Sequence, residues 1–286
     1  MEPRDVRQVG VVGCGLMGSG IVEVVARTGA KVTFVEGTDE LIARGRASVE
    51  RSVGKAVERG KLDAADAEAL LGRVTGVPDL AGLDASDLVI EAATEDVEAK
   101  REIFRTLGAV TRPEVILASN TSSIPIVELG IASGRPDRVI GMHFFNPPPV
   151  MALLELTPAL TTSDETFEFV RSYGTDVLGK TCVRSKDHAG FIVNRLLVPY
   201  LFDAVRLLDE GFATREDIDT AIHLGLAHPM GPLTLIDLIG LDTMLSIGEV
   251  LHAEFGEERY APPSLLRRMV AAGRLGRKSG GGFTDA

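Results

Sequence analysis

A short apolar segment followed by three spaced glycines constrains this chain most. QVGVVG, residues 8–13, is rich in β-branched side chains and predicts a buried strand, and residues 16–29 have the spacing of a helix. Gly13, Gly15 and Gly18 form the pattern GxGxxG at the junction. Glycines there permit a tight turn and let backbone amides at the helix N-terminus approach a diphosphate. In this context the pattern predicts a Rossmann-type dinucleotide site rather than a glycine-rich turn without a ligand.

An acidic residue closes the second predicted strand and bears on the choice of cofactor. Glu36 ends the segment KVTFVE, where an acid follows the glycine pattern at the usual distance. Its carboxylate should accept hydrogen bonds from ribose hydroxyls and repel a 2′-phosphate, so NAD is favoured over NADP. The alternative is an ordinary exposed acid after a strand. We expect the cofactor to lie against Glu36 and against the glycine loop, namely Gly13, Gly15, Leu16, Met17 and Gly18.

The chain as a whole shows two successive patterns. In the first, short apolar runs alternate with amphipathic stretches, which predicts an α/β domain with a doubly wound, mostly parallel sheet. The predicted strands are 8–13, 31–36, 87–93, 115–120 and 138–145, with 151–156 and 181–185 as extensions of the edge, and the predicted helices are 16–29, 39–60, 96–110 and 164–178. In the second pattern, apolar residues recur at helical spacing. We therefore predict a Rossmann-type domain over 1–187 and an all-helical domain over 188–286.

Composition argues against several classes of function. The chain has 286 residues, a formal net charge of −11 and a pI near 5.0, which disfavours binding to nucleic acid or to an anionic membrane. It has no apolar run of the roughly 20 residues that span a bilayer, and its first residues do not resemble a signal peptide. Its two cysteines form no CxxC pair, which together with the missing signal predicts a cytoplasmic location. The five histidines lack metal-ligand spacing, so we expect no metal site.

Charged and hydroxyl side chains cluster after the next two predicted strands. Glu91, Glu95 and Lys100 fall where doubly wound sheets bind ligands, although an acidic, solvated start of a helix would look the same. SNTSS, residues 119–123, offers four hydroxyls and the amide of Asn120, which is more than a helix cap requires. Both segments are therefore candidates for the lining of the nucleotide site.

His143 stands at the end of another predicted strand, at the head of HFFNPPPVMALLE. An imidazole there could take a proton from a substrate hydroxyl near neutral pH, and Glu155 on the returning strand could hold the other ring nitrogen. For an isolated histidine a structural hydrogen bond would be the better interpretation, but the adjacent nucleotide-binding edge favours an oriented base. Asn194 lies among apolar residues of a predicted helix, so its amide needs a partner, either a substrate oxygen or a neighbouring helix.

Together these segments resemble the L-3-hydroxyacyl-CoA dehydrogenase family, particularly its short-chain bacterial 3-hydroxybutyryl-CoA dehydrogenases. The resemblance covers nearly the whole chain and is carried by GVVGCGLMGSGI, EAATED with Lys100, ASNTSS, GMHFFNPPPVMALLEL, GFIVNRLLVPY, HPMGPLTLIDLIGLD and GRLGRKSGGGF. It implies an NAD-dependent, reversible oxidation of an (S)-3-hydroxyacyl-CoA by a homodimer joined through the helical domain. The catalytic residues it implies are His143 as base, Glu155 as its partner, and Ser122 and Asn194 on the reacting oxygen. It also places further residues against the cofactor: Glu95, Lys100, Asn120, Ser122 and His143.

The chain departs from the family pattern in three places. Glu36 stands where aspartate is common, the turn has NPPPV where NPVPV is usual, and the C-terminus has GGGFTDA where an aromatic residue often follows the phenylalanine. A CoA substrate also needs cations for its phosphates. The segment after Glu36 carries basic residues at helical spacing, of which Arg51 and Lys55 are the candidate contacts, flanked by Arg44 and Arg59. A solvated, salt-bridged helix face is the commoner origin of such a pattern.

Three other functions remain open at this stage. A dehydrogenase of the L-gulonate type would keep the base but have no use for a CoA site. An enzyme of the 6-phosphogluconate type would use a lysine in the helical domain, where this chain has Asn194. A dinucleotide-binding sensor would have no reason to pair His143 with Glu155. Comparing acetoacetyl-CoA with free acids, in an assay of NADH oxidation, separates these alternatives.

Overall fold

The computed structural model of the chain describes residues 2–284, so Met1 and the last two residues of the predicted helical domain lie outside the description. The chain divides into two compact units, Met1–Asp187 and His188–Ala286. The first unit combines a sheet with helices, and the second is built from helices. The predicted fold class, a Rossmann-type α/β domain followed by an all-helical domain, is confirmed.

The first unit has a single sheet, and within residues 2–284 it comprises eight strands. They are β1 (Gln8–Val12), β2 (Lys31–Val35), β3 (Val74–Val77), β4 (Leu88–Glu91), β5 (Ile116–Ser119), β6 (Val139–Phe144), β7 (Leu153–Pro158) and β8 (Thr181–Arg184). Their order is β3-β2-β1-β4-β5-β6-β7-β8, and only the β6–β7 pair is antiparallel. The two predicted edge extensions are therefore confirmed as β7 and β8. β3 was not predicted, because four residues that include a glycine give too little periodicity.

Helices connect the parallel strands. They are α1 (Leu16–Arg27), α2 (Asp39–Glu58), α3 (Ala64–Leu71), α4 (Val97–Val110), α5 (Ile126–Ala132) and α6 (Asp164–Ser172). Thr38, Asp96 and Ser163 cap α2, α4 and α6 by accepting a hydrogen bond from a backbone amide of the first turn. α3 and α5 were not predicted, since each has only eight residues or fewer and tertiary packing stabilises helices this short.

The sheet is buried on both faces, as its near-continuous apolar strands require. Side chains alternate between two apolar clusters: Leu88 and Ile90 of β4 belong to the cluster that contains Ile21 of α1, and Val89 belongs to the cluster that contains Phe104 of α4. Because β4 is central and completely buried, a polar residue at its end must find its partners within the protein.

The strand order reverses between β1 and β4, which is the switch point where doubly wound sheets bind ligands. The register pairs Val12 with both Val35 and Glu91, and pairs Glu91 with Ser119. The carboxyl ends of these strands are therefore level. We call this side of the sheet, with the segments that directly follow the strands, the carboxyl edge.

The second unit packs its helices around an apolar core that includes Phe202, Ile236 and Leu251. Its helices are α7 (Val193–Asp209), α8 (Arg215–Gly225), α9 (Pro232–Ile239), α10 (Leu241–Phe255) and α11 (Ser264–Ala271). Residues 234–256 have apolar residues at helical spacing throughout, but Gly240, with φ of +105°, divides them between α9 and α10. Across residues 2–284 no helix has the length and apolarity needed to cross a membrane.

Candidate active site

The glycine loop at the N-terminus of α1 has the shape that a diphosphate requires. Gly13 has φ of +86°, and a Cβ there would lie 2.8 Å from the carbonyl oxygen of Ala92. At Gly18 a Cβ would lie only 1.9 Å from the carbonyl oxygen of Gly13, so helix and loop pack backbone to backbone. Beside Gly15, by contrast, there is open space for at least 4 Å. Backbone can therefore approach an anion at this helix end, and the residues present fit the diphosphate of a dinucleotide.

Glu36 turns towards the same loop. Its Oε1 accepts a hydrogen bond of 2.6 Å from the backbone amide of Cys14. The two other loop residues predicted to contact the cofactor differ in exposure, because the side chain of Leu16 is 75 % exposed whereas Met17 packs against the core. Burial, together with the charge of Glu36, raises the pKa of the Cys14 thiol to about 12, so Cys14 stays protonated and is not a nucleophile.

Next to this loop, Glu91 and Lys100 form a buried ion pair. Lys100 Nζ lies 2.5 Å from Glu91 Oε1, and both side chains are at most 1 % exposed. Glu91 also accepts hydrogen bonds from the amide of Ala93 at 2.7 Å and from Ser119 Oγ at 2.6 Å. Lys100 is therefore held inside the protein rather than on a solvated helix face, which was the alternative from sequence.

Glu95 binds the loop that follows β5, residues 120–125. Its Oε1 accepts hydrogen bonds from Thr121 Oγ1, Ser123 Oγ and the backbone amide of Ser122, at 2.6 to 3.0 Å. Ser122 Oγ is 3.5 Å from the same oxygen. Burial opposes the ionisation of Glu95, but the charge of Lys100 and the hydrogen bonds from this loop outweigh burial and hold the pKa of Glu95 below its usual value. Glu95, Lys100 and Ser122, predicted from separate segments, therefore lie together.

His143 and Glu155 lie directly opposite each other on the antiparallel pair β6 and β7. His143 Nδ1 is 2.8 Å from Glu155 Oε2, and both residues are buried. A carboxylate only accepts hydrogen bonds, so the ring donates to Glu155 from Nδ1. The geometry that the sequence predicted, an imidazole with a carboxylate behind it, is present at the carboxyl edge of the sheet.

Asn120 and the prolines fix the segments on either side of His143. Asn120 Oδ1 accepts a hydrogen bond of 2.9 Å from the amide of Phe144, which ties the loop after β5 to β6. A Cβ at Gly20 of α1 would lie 2.6 Å from Pro148, so the turn after His143 packs closely on the helix of the glycine loop. Lys180 Nζ donates hydrogen bonds of 2.7 Å to the carbonyl oxygens of Pro148 and Met151. These contacts hold in place the NPPPV turn, whose sequence departs from the usual NPVPV.

The predicted CoA contacts lie on an exposed face of α2. Arg51 and Lys55 are exposed, and neither they nor Arg44 and Arg59 form an ion pair with a carboxylate among residues 2–284. The neighbouring Arg46, in contrast, pairs with Glu50 at 3.0 Å. The salt-bridged face that sequence offered as the alternative therefore applies to Arg46 and does not apply to the four predicted cations.

In the second unit, Asn194 lies in the first turn of α7 and is half-buried. Its side chain makes no hydrogen bond to another residue of the described part of the chain, so a helix–helix partner is not observed.

The C-terminal segment is anchored, because Asp237 accepts hydrogen bonds from the amides of Phe283 and Thr284 at 2.8 and 2.7 Å. The described part of the altered C-terminus is thus docked.

Sequence reasoning named Glu91 and the segment of Ser119 only as candidates for the lining of the nucleotide site, and it did not predict that the two side chains bind each other at the centre of the carboxyl edge. A signal for Glu91 was present. A carboxylate ends a strand whose other residues are all apolar, and a lysine follows one helical turn into the next helix. In the interior of a parallel sheet such an acid needs a buried cation, and Lys100 is the nearest candidate in the sequence.

Comparison with known proteins identifies the family. The model of the 3-hydroxyacyl-CoA dehydrogenase NAD-binding domain matches residues 8–188, and the model of the C-terminal domain of the same family matches residues 190–286. The chain is 50 % identical over 279 residues to the 3-hydroxybutyryl-CoA dehydrogenase of Mycobacterium tuberculosis, covering 97 % of this chain and 98 % of the relative. It is 42 % identical over 285 residues to the human mitochondrial hydroxyacyl-coenzyme A dehydrogenase, covering 97 % of this chain and 90 % of the relative.

A solved structure agrees with the sequence relatives. The crystal structure of (S)-3-hydroxybutyryl-CoA dehydrogenase from Ralstonia eutropha matches with a TM-score of 0.93 and 46 % identity, over 98 % of this chain and 99 % of that one. The predicted NAD-binding domain is confirmed, and the resemblance inferred from sequence segments is confirmed over the full length. The chain belongs to the 3-hydroxyacyl-CoA dehydrogenase family.

Proposed function

We propose that this chain is an NAD-dependent 3-hydroxybutyryl-CoA dehydrogenase, which reversibly oxidises a short-chain (S)-3-hydroxyacyl-CoA to the 3-ketoacyl-CoA. The observation that carries the proposal is the hydrogen-bonded pair of His143 and Glu155, 2.8 Å apart at the edge of a sheet whose first loop fits a dinucleotide. The identity of half of the residues to a relative with that activity supports the choice of substrate.

His143 is the general base of the proposed reaction. Its Nε2 takes the proton of the substrate hydroxyl during oxidation and returns it to the oxygen during reduction. Glu155 holds the proton on Nδ1 and stabilises the imidazolium that forms, because a carboxylate at hydrogen-bond distance favours the charged ring. NAD, when bound, accepts the hydride that leaves C3 of the substrate.

Two polar side chains bind the reacting oxygen in this proposal. Ser122 donates from its hydroxyl, and Asn194 contributes its amide; the backbone amide of Ser122 donates to Glu95 at 3.0 Å, which holds the loop after β5 in place. Lys100, Glu95 and Asn120 line the cofactor beside the glycine loop, and Glu36 binds the ribose hydroxyls. The residues of this chain thus orient the substrate oxygen and the proton acceptor, which is the main contribution of protein to a cofactor reaction.

The CoA phosphates bind the cationic face of α2 in this proposal, at Arg51 and Lys55. The absence of any ion pair at these two exposed side chains within residues 2–284 supports that role, since an anion binds most readily where no carboxylate competes. Homodimerisation occurs through the second unit. That unit exposes large apolar side chains, as an interface requires: Leu196 (70 %), Phe212 (78 %), Leu224 (72 %), Leu226 (59 %) and Leu238 (48 %).

The enzyme works in the cytoplasm, in the metabolism of short fatty acyl chains. Both cysteines are thiols rather than a disulfide, as in a reducing compartment.

An assay of NADH oxidation with acetoacetyl-CoA tests the proposal. We expect rapid turnover with acetoacetyl-CoA, lower turnover as the acyl chain lengthens, and NADH preferred to NADPH. Free acetoacetate and free hydroxyacids are the controls, because an L-gulonate-type enzyme would use free acids. Turnover of free acids in preference to the thioester would contradict the proposal, and no turnover of any of them would favour a nucleotide sensor. Gel filtration with light scattering tests the dimer.

A further inference from the structure

Glu91 takes no part in the proposed reaction, although it is completely buried at the centre of the carboxyl edge. Its carboxylate accepts hydrogen bonds from Lys100 Nζ, from the amide of Ala93 and from Ser119 Oγ. These donors belong to three different segments. Lys100 is in α4, Ala93 is in the connection that contains Glu95, and Ser119 ends β5, directly before the loop that contains Ser122. One carboxylate therefore links the segments that supply Lys100, Glu95 and Ser122.

Stability alone is a weak reason for such a pair. Removing two charges from water costs several kcal/mol for each ion, on the order of what their attraction returns, so an apolar pair of similar volume is often as stable. The other three residues of β4 are apolar, so the strand itself does not require an acid at its end. A function in positioning neighbouring side chains therefore explains a buried ion pair at the ligand-binding edge better than stability does.

The ammonium of Lys100 lies between two carboxylates. It is 2.5 Å from Glu91 Oε1 and 3.6 Å from Glu95 Oε2. Glu95 is at the same time the acceptor for the hydroxyls and the amide of residues 121–123. Lys100 faces Oε2 of Glu95, whereas those donors bind Oε1. An ammonium released from Glu91 would move towards Oε2 and turn the carboxylate away from the loop, because a charged donor binds a carboxylate more strongly than a neutral one.

We propose that Glu91 is a positioning residue: it holds Lys100 away from Glu95, so that Glu95 can hold the loop that carries Ser122. This inference rests on the proposed function, in which Lys100 contacts the cofactor and Ser122 binds the reacting oxygen. Glu91 itself touches neither ligand and acts through these two side chains.

The test compares Glu91→Gln with Glu23→Gln in the full-length protein. Glu23 is the matched control, because it is also completely buried and pairs with a single cation, Arg27 at 2.6 Å, near the far end of α1 from the glycine loop. For Glu91→Gln we expect kcat with acetoacetyl-CoA to fall about tenfold and the Kd of NADH to rise about tenfold. A tenfold change is at the lower end of what the loss of a hydrogen bond to a charged group causes. Glu23→Gln should change both by less than about twofold while lowering the melting temperature comparably.

A double-mutant cycle with Lys100→Met tests the route of the effect. If Glu91 acts through Lys100, then Glu91→Gln/Lys100→Met has the same kcat and NADH Kd as Lys100→Met alone, since there is no ammonium left to displace. Additive losses would overturn the proposal, and so would a Glu91→Gln variant that matches Glu23→Gln in both constants. If Glu91→Gln does not fold, the double variant, which buries no unpaired charge, is compared with Lys100→Met by the same criterion.

The wild-type protein separates the two levels of inference. Without turnover of acetoacetyl-CoA by the wild type, the proposed function fails. If the wild type turns over acetoacetyl-CoA normally and Glu91→Gln leaves kcat and the Kd of NADH unchanged, only the proposed role of Glu91 fails.

Discussion

The two units of this protein bury carboxylates in opposite ways. In the second unit, Asp237 is 1 % exposed and accepts hydrogen bonds from two backbone amides and the hydroxyl of Thr284. In the first unit, Glu91 and Glu155 are 0 % exposed and bind the side chains of Lys100 and His143. A carboxylate that binds backbone fixes the course of the chain, whereas one that binds a titratable side chain fixes a charge or a proton.

This difference separates structural acids from functional ones without reference to any ligand. Backbone amides keep their hydrogens at every pH of interest, so an acid that binds them acts only on conformation. Lys and His can change their protonation, and a buried acid next to them controls whether they do. We therefore expect substitution of Glu155 or Glu91 to change catalysis and substitution of Asp237 to change stability.

The largest expected effect is that of His143→Ala. Loss of the base should lower kcat by a factor on the order of 10² to 10⁴, while the Kd of NADH stays nearly unchanged. Steady-state kinetics and NADH fluorescence titration measure the two quantities. Turnover like that of the wild type would show that His143 is not the base. The buried acid Glu155 would then have no functional role through His143.

Glu155→Gln should have the next largest effect. An amide can accept the hydrogen of Nδ1, but it can also donate to that nitrogen and select the wrong tautomer, and it cannot stabilise the imidazolium. We expect kcat to fall by a factor on the order of 10², with a smaller loss of NADH affinity. A kcat within about twofold of the wild type would show that Glu155 is as structural as Asp237.

Asp237→Ala tests whether the buried acid of the second unit acts only on stability. It leaves the amides of Phe283 and Thr284 without their acceptor, so the free energy of unfolding should fall by about 1 to 3 kcal/mol. Urea denaturation measures this loss, and the kcat of the folded variant should remain within about twofold of the wild type, as for substitutions distant from a site. A loss of kcat as large as that of Glu155→Gln, with stability intact, would contradict the assignment.

The smallest effect concerns acid pH. The pKa of Glu95 is lower in the folded protein than its ordinary value, so its contribution to stability is present above that ordinary value and is lost as pH falls through the folded one. Glu95→Gln should therefore be less stable than the wild type near neutrality, and the gap should close below about pH 4, under the usual glutamate range. Urea titrations at several pH values measure it. A gap independent of pH would mean that the charge of Glu95 does not hold the loop.

Sequence alone predicted the parts of the fold that repeat a strong pattern. The glycine loop, seven of the eight strands and the helices of the first unit with nine or more residues were all predicted from periodicity. β3, α3 and α5 were not, because in elements this short tertiary packing outweighs intrinsic propensity. The break at Gly240 was also missed, since a glycine within apolar residues at helical spacing does not by itself indicate a positive φ.

The site shows the same division. The partnership of His143 and Glu155 was predicted from the spacing of two strands, and the strand register confirms that they face each other. The role of Glu91 was not predicted, because of its three contacts one comes from a distant segment, Ser119, and one depends on the burial of Lys100. Pattern reasoning finds a pair of complementary side chains more readily than a carboxylate shared by three segments.

The pairing of β6 with β7 has a consequence for how the family can vary. The hydrogen bonds between β6 and β7 set the distance between His143 and Glu155. The eight residues 145–152, which connect the two strands, therefore do not determine that distance. An insertion or deletion in that connection would leave imidazole and carboxylate face to face, since lengthening a surface loop costs little free energy. One residue added within β7 would instead rotate the carboxylate to the opposite face of the sheet and abolish the pair.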